Sequence, residues 1–226
     1  NAFGGEPNTR VCPICLGYPG VLPGINREAV RKTLMAGLMC GCDVRGYSQF
    51  HRKNYFYPDM PKNYQLSQYD LPLCRGGAVH ISGSGVSGEP ITPRDVRLTR
   101  MHLEEDTGKL THMGRCSGVD FNRAGVPLLE IVTAPDLHTP DEAYSFLSAL
   151  KELMQYAGVS QCDMEKAQMR CDVNISLRPR GQRTLGEKIE IKNLNSFRAV
   201  HRALNYEIQR QAEALDTGLS LHQETR

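Results

Sequence analysis

Apolar residues recur along this chain with two periods, and the periods divide it into helices and strands. From Asn26, a good N-cap, Ala29, Val30, Thr33, Leu34 and Leu38 fall at helical spacing, and Gly41 ends the run. Thr139-Pro140-Asp141-Glu142 is a capping box with proline at the first helical position. Ala143, Phe146, Leu147, Leu150, Leu153 and Met154 follow as one stripe, closed by Gly158. A third helix is capped by Asn195 or Ser196 and carries Val200, Leu204, Ile208, Ala212 and Leu215 on its buried side. Elsewhere the period drops to two. In 169–178, Cys171, Val173, Ile175 and Leu177 oppose Arg170, Asp172, Asn174, Ser176 and Arg178; in 187–192, Ile189 and Ile191 oppose Lys188, Glu190 and Lys192. Single-face alternation predicts antiparallel strands with one apolar and one polar face. The fold class that follows is α+β, an antiparallel sheet backed by helices with its polar face open to a ligand.

The stretch 96–132 organises the rest. Leu98, Met101 and Leu103 alternate with His102 and Glu104, and Leu128-Leu129-Glu130-Ile131-Val132 is a β-prone run with a carboxylate at its centre. A polar, Gly-containing connection joins the two. On neighbouring strands, Glu104 and Glu130 can face one divalent cation, and magnesium prefers such hard oxygen ligands. The aliphatic neighbours of Glu130 argue against free solvation, though an ion pair with Arg123 satisfies them as well as a metal does. Glu105 and Asp106, in an acidic run, read as solvated. Together His102, Glu104, Glu130, Arg170, Asp172, Asn174, Lys188, Glu190 and Lys192 form one predicted polar surface. Its mixture of anions and cations is what a metal–nucleotide site needs, and also what a solvated sheet face carries.

Composition narrows the possibilities. The 226 residues suffice for one large domain or two small ones, and a net charge of +2 gives no global attraction to nucleic acid. No apolar run reaches membrane-spanning length and no signal peptide opens the chain, so the eight cysteines read as thiols or metal ligands. Cys12 and Cys15 form a C-x-x-C, half of a four-ligand zinc site, with Cys40 and Cys42 a weak candidate for the other half. Residues 46–70 read as a loop rich in Tyr and basic residues, suited to a phosphate or base. Residues 76–93 read as a Gly/Ser-rich hairpin tip or mobile loop, without the ending of a phosphate-binding loop. No Ser/His/Asp order supports covalent hydrolysis.

Six segments carry a resemblance that covers essentially the whole chain: 8–23, 53–65 (beginning Lys53-Asn-Tyr-Phe-Tyr-Pro-Asp59), 102–109 (His102-Leu-Glu-Glu-Asp-Thr-Gly-Lys109), 120–132, 170–174 and 190–197. They closely resemble the B-subunit family of the aspartyl/glutamyl-tRNA amidotransferases. The resemblance implies a cradle-shaped catalytic domain over residues 1–226, similar to glutamine synthetase and the guanidino kinases. It implies an ATP- and magnesium-dependent ligase that phosphorylates the side-chain carboxylate of Glu or Asp on a misacylated tRNA. Ammonia from the amidase A subunit then displaces phosphate, in a heterotrimer completed by a small C subunit. By matching motif Glu104 and Glu130 are metal ligands, and Asp172 serves a second metal position or the ammonia route. Lys53, Tyr55 and Tyr57 contact phosphate or the aminoacyl end, Arg123 and Lys192 are further cofactor-binding residues, and Cys12 and Cys15 supply half of a zinc site. The implied setting is bacterial cytoplasm or an organelle.

The family's N-terminal strand, whose Gly-Leu-Glu-Val-His motif completes the magnesium shell, does not appear here, nor does the Cys-x-Cys that completes the zinc site. Both ends read as cut, with Asn1–Gly5 in mid-loop and helical and tail domains expected beyond Arg226, so the isolated chain is expected to be inactive. Two rivals remain. One is the archaeal-type E subunit, which acts on Glu-tRNA(Gln) alone; the other is a non-catalytic, zinc-stabilised tRNA-binding scaffold.

Overall fold

A computed structural model describes residues 4–226; the mid-loop reading of residues 1–3 lies outside them. Along the chain run α1 (Arg27–Met39), β1 (Asp43–Val44), β2 (His51–Asn54), β3 (Tyr64–Ser67), β4 (Cys74–Arg75) and β5 (Ala78–Ile81). There follow β6 (Arg94–Glu105), β7 (Lys109–Met113), β8 (Cys116–Asp120), β9 (Pro127–Thr133) and α2 (Pro140–Tyr156). The last elements are β10 (Cys171–Ile175), β11 (Ile189–Leu194), α3 (Phe197–Asp216) and β12 (Glu224–Thr225). Helices with largely antiparallel strands make the α+β class that the alternation predicts. The chain divides into two compact units, one of residues up to Ala78 with Arg97–Ala134, the other Val79–Val96 with Pro135–Arg226. No helix among the described residues is long and apolar enough to cross a membrane.

In the first unit the sheet runs β1–β4–β6, with β9 on the other side of β6. The long β6 is buried on both faces: Met101 and Leu103 on one, His102 and Glu104 on the other. The apolar face belongs to the core that α1 helps to build. Asn26 caps this helix as expected, accepting from the backbone N–H of Glu28 and Ala29. Its buried side, however, is Thr33, Ala36 and Gly37, and Leu38 of the predicted stripe points outward, 64% exposed. Close approach to β4 explains the inversion. A Cβ on Gly37 would lie 2.5 Å from Cys74 Sγ, so only the small residues of α1 can face the sheet.

Residues 46–70 are not simply a loop: β2 and β3 pair as an antiparallel ribbon within them. The ribbon satisfies the edge of β6 where β4 pairs no further. Leu103 N–H donates to Gln68 Oε1 at 3.1 Å, and Gln65 Nε2 donates to the Glu105 carbonyl. Side-chain amides thus stand in for a missing strand, because buried backbone groups must be paired. The solvated reading of Glu105 and Asp106 is overturned by partners distant in sequence. Lys62 Nζ meets both Glu105 oxygens at 2.5 Å in a nearly buried pair, and Asp106 is buried 3.4 Å from Arg123 Nε. The polar connection after β6 contains a further antiparallel hairpin, β7–β8.

In the second unit β5 neighbours the first residues of β6, and α2 packs against α3. The Gly/Ser-rich segment closes on a bridge between Ser84 and Pro90, and Ser87 Oγ donates to Asp141 on the first turn of α2 at 2.5 Å. Strands β10 and β11 pair antiparallel in the register Val173↔Ile191, so their apolar residues share a face as predicted. The buried side of α3 carries Val200 and Leu204 but also Glu207 and Gln211, which bond to each other; Glu207 also takes Arg210, and Gln211 takes Leu177 N–H. Of the residues of the expected polar surface, His102, Glu104 and Glu130 lie on β6 and β9 of the first unit, and Asp172, Asn174, Glu190 and Lys192 lie on β10 and β11 of the second.

Replacing Gln68 tests the edge cap. Gln68→Leu leaves the Leu103 N–H buried without an acceptor, and the unfolding free energy is expected to fall by about 1–3 kcal/mol. Denaturant titration measures this; an unchanged midpoint and slope would show that the amide does not hold the edge.

Candidate metal centre

The register of β6 against β9 builds the site. His102 lies directly opposite Glu130, and Glu104 lies two residues further along β6, on the same face. His102 Nε2 is 3.8 Å from Glu104 Oε2 and 3.7 Å from Glu130 Oε2. One ligand atom from each of the three residues lies within 4.8 Å of the other two. His102 and Glu104 are buried, while the Glu130 side chain is 45% exposed. The shelter expected from its aliphatic neighbours is incomplete.

Neighbouring groups orient these ligands. Ser67 Oγ on β3 donates to Glu104 Oε2 at 3.0 Å. Arg100 Nε donates to His102 Nδ1 at 3.4 Å, which leaves the ring proton on Nε2, toward the two carboxylates. A divalent ion that takes His102 as a ligand replaces that proton. The donor set therefore fits a divalent cation: two carboxylates and an imidazole converge, with hydrogen bonds behind two of them.

Beside the triad lies a cavity of about 280 Å³, lined by the triad, Ser67, Gln68 and Tyr69, and by His51, Arg52, Lys53 and Arg100. The Arg100 guanidinium stacks 5.0 Å from the Tyr69 ring and that of Arg52 4.8 Å from Tyr64. Cationic and anionic side chains thus line the same cavity. Alternation placed Glu104 and Glu130 here; it also set His102 on their face without assigning it a ligand role, and it passed over His51, Arg52, Ser67 and Arg100. Arg100 shares the alternation of His102 and Glu104, a signal that could have found it.

The other predicted residues are distributed. Lys53 lines the cavity, but Tyr55 and Tyr57 do not. Tyr55 is half-buried; burial, then the nearby carboxylates of Asp59, Glu104 and Asp106, push its phenol up to about 12. Arg123 is committed to the turn after β6, donating to the carbonyls of Thr107 and Gly108 at 2.9 and 2.7 Å. Asp172 and Lys192 come together in the second unit, 3.8 Å apart, with Glu190 3.5 Å from Lys192.

Cys12 and Cys15 lie in one turn, where Cys15 N–H donates to Cys12 Sγ at 3.4 Å. Burial pushes the Cys15 thiol up to about 11; at Cys12 burial acts in the same sense, but hydrogen bonds from Cys15 and Ile14 with nearby positive charge together bring it below its ordinary range. Among the described residues no third His, Cys, Asp or Glu joins them, so two thiols are present and a four-ligand zinc shell is not. Cys40 and Cys42 do not supply the other half; they are buried beside Cys74, and Cys42 Sγ donates to the Gly76 carbonyl.

A carboxylate–imidazole triad beside cationic side chains in one cavity defines a candidate divalent-metal centre with room for an oxyanion. The chain belongs to the GatB/GatE catalytic domain family, whose signature matches residues 1–226. It is 52% identical over 229 residues to the B subunit of the aspartyl/glutamyl-tRNA(Asn/Gln) amidotransferase of Methylacidiphilum infernorum. It is 54% identical over 228 residues to the same polypeptide of Moorella thermoacetica and 49% over 231 to that of Crocosphaera subtropica. Each alignment covers 99% of this chain and 47% of the relative, so the chain spans about half the length of these curated relatives.

The raised Tyr55 group has a signature in alkaline solution. The folded chain holds the phenolic proton where the unfolded chain, with an ordinary phenol near 10, has released it. Its contribution to stability is therefore complete below about pH 10 and is lost as the pH rises toward about 12. The difference in unfolding free energy between wild type and Tyr55→Phe should be flat below this window and change within it. Parallel pH profiles for the two proteins would contradict the shift.

Proposed function

We propose that this chain carries the kinase–transferase chemistry of a tRNA-dependent amidotransferase: ATP-driven conversion of Glu on tRNA(Gln), or Asp on tRNA(Asn), to the amide. The observation that carries the reading is the convergence of His102, Glu104 and Glu130 on a cavity that Arg52, Lys53 and Arg100 also line. Membership of the GatB/GatE catalytic domain family supports it, as do relatives named for this reaction. We further propose the catalytic fold of glutamine synthetase and the guanidino kinases, and a heterotrimer with an amidase A subunit and a small C subunit.

In this reading His102, Glu104 and Glu130 hold magnesium, which when bound supplies positive charge against the phosphoryl oxygens as charge builds on them. Arg52, Lys53 and Arg100 bind the polyphosphate and keep it against the triad. Ser67 fixes the Glu104 carboxylate, so the anionic wall does not reorganise during transfer. The γ-phosphoryl group leaves ADP and joins the side-chain carboxylate of the aminoacyl-tRNA. Ammonia then adds to the acyl carbon, phosphate departs with the C–O electron pair, and the nitrogen loses a proton. Activation is needed because an oxide leaving group is poor, whereas phosphate leaves an acyl centre readily.

The test uses the complete gene product with its partner subunits, Glu-tRNA(Gln), ATP, magnesium and free ammonium, which bypasses the amidase. Gln-tRNA formation is expected in wild type and is expected to fall at least 100-fold in Glu130→Gln with tRNA binding kept, about the loss from removing one transition-state charge contact. Equal rates would remove Glu130 from the chemistry. No product from wild type, with Asp-tRNA(Asn) tried as well, would favour a non-catalytic RNA-binding scaffold.

A further inference from the structure

A residue that lines the cavity carries a buried polar atom for which the fold supplies no partner. His51 Nε2 is shielded from solvent and makes no hydrogen bond, and His51 lines the cavity. Buried polar groups are nearly always paired, so an unpaired one calls for an explanation, and a ligand group is among the best. The other such atom among the described residues, Asp59 Oδ1, belongs to a residue outside the cavity wall.

The ribbon explains where His51 stands. β2 and β3 pair His51 directly with Ser67, and directly opposed residues of an antiparallel pair project to the same face. Ser67 in turn donates to Glu104 Oε2. The imidazole is therefore the cross-strand neighbour of the residue that orients a metal ligand. Arg52 and Lys53 follow it on the same strand, and Arg100 faces the same cavity. A bare anion entering here meets the carboxylates of Glu104 and Glu130, and a bare cation meets Arg52, Lys53 and Arg100. An oxyanion bound to a divalent cation satisfies both sets of charges.

We propose that His51 Nε2 donates a hydrogen bond to an oxygen of a metal-bound phosphate group, which makes His51 a substrate-binding residue of this cavity. A neutral imidazole protonated at Nε2 and an imidazolium both provide the donor, so the contact does not depend on the ring's charge. The proposal rests on the reading of His102, Glu104 and Glu130 as a metal site. The shared chemistry is a phosphate oxygen, which a nucleotide polyphosphate or an acyl phosphate presents. Inorganic pyrophosphate probes the first and acetyl phosphate the second.

The experiment is calorimetric titration of the complete gene product with manganese alone, then with pyrophosphate or acetyl phosphate at saturating manganese. Wild type, His51→Leu and His51→Gln are compared, because Gln keeps an N–H donor of similar reach. Manganese affinity is expected to be equal in all three. Affinity for at least one phosphate probe should fall about tenfold in His51→Leu and be largely kept in His51→Gln. The thermal midpoint of His51→Leu should be unchanged or raised, since the removed atom has no partner in the fold. Leu binding both probes as tightly as wild type overturns the proposal. Equal losses in Leu and Gln, or a lowered midpoint in Leu, make His51 structural and overturn it too. Wild type that binds manganese but neither probe sinks this proposal alone; wild type that binds no manganese sinks the metal reading, and this one with it.

Discussion

The antiparallel pairing of β6 with β9 in the register His102↔Glu130 is the constraint on which the site depends. Strand side chains alternate, so a slip of one residue would turn Glu130 to the opposite face and bring a neighbouring aliphatic into its place. The apolar residues defend the register. Met101 and Leu103 are buried on the core side, and a slip would have to bring charged groups into that core. Packing on one face of β6 thereby positions the chemistry on the other.

That arrangement has a cost that points toward its use. Two carboxylates and an imidazole share a small, partly buried volume, and mutual repulsion of the carboxylates opposes it. The Ser67 hydroxyl and the ring proton of His102 offset part of this, while the Lys62–Glu105 and Asp106–Arg123 pairs hold the strand end and the turn that follows it. Nothing in the core requires Glu130 to be acidic, since nearly half its side chain is open. A divalent ion is the partner that would turn the cluster from a cost into a bond.

How much was legible in the amino-acid order follows from how local each signal is. Helices α2 and α3, and the alternation of β6, β9, β10 and β11, are written within a few residues, and all were readable. So was the shared face of Glu104 and Glu130. The ribbon β2–β3 was hidden because its strands are only four residues long, β2 is polar on both faces, and the pair takes its meaning from the β6 edge it caps. The burial of Glu105 and Asp106 was hidden because Lys62 and Arg123, their partners, reach them only after folding. On α1 the large apolar residues misled, because the helix approaches β4 through Gly37. His51 could not be read as a ligand group from its type alone; its unpartnered nitrogen is a property of the folded cavity wall.

Anomalous diffraction from crystals grown with manganese tests whether His102, Glu104 and Glu130 hold one divalent cation, as proposed. An anomalous peak is expected at bonding distance from His102 Nε2 and from an oxygen of each glutamate. Manganese ordered elsewhere in the crystal, with only protein density at the triad, would contradict it.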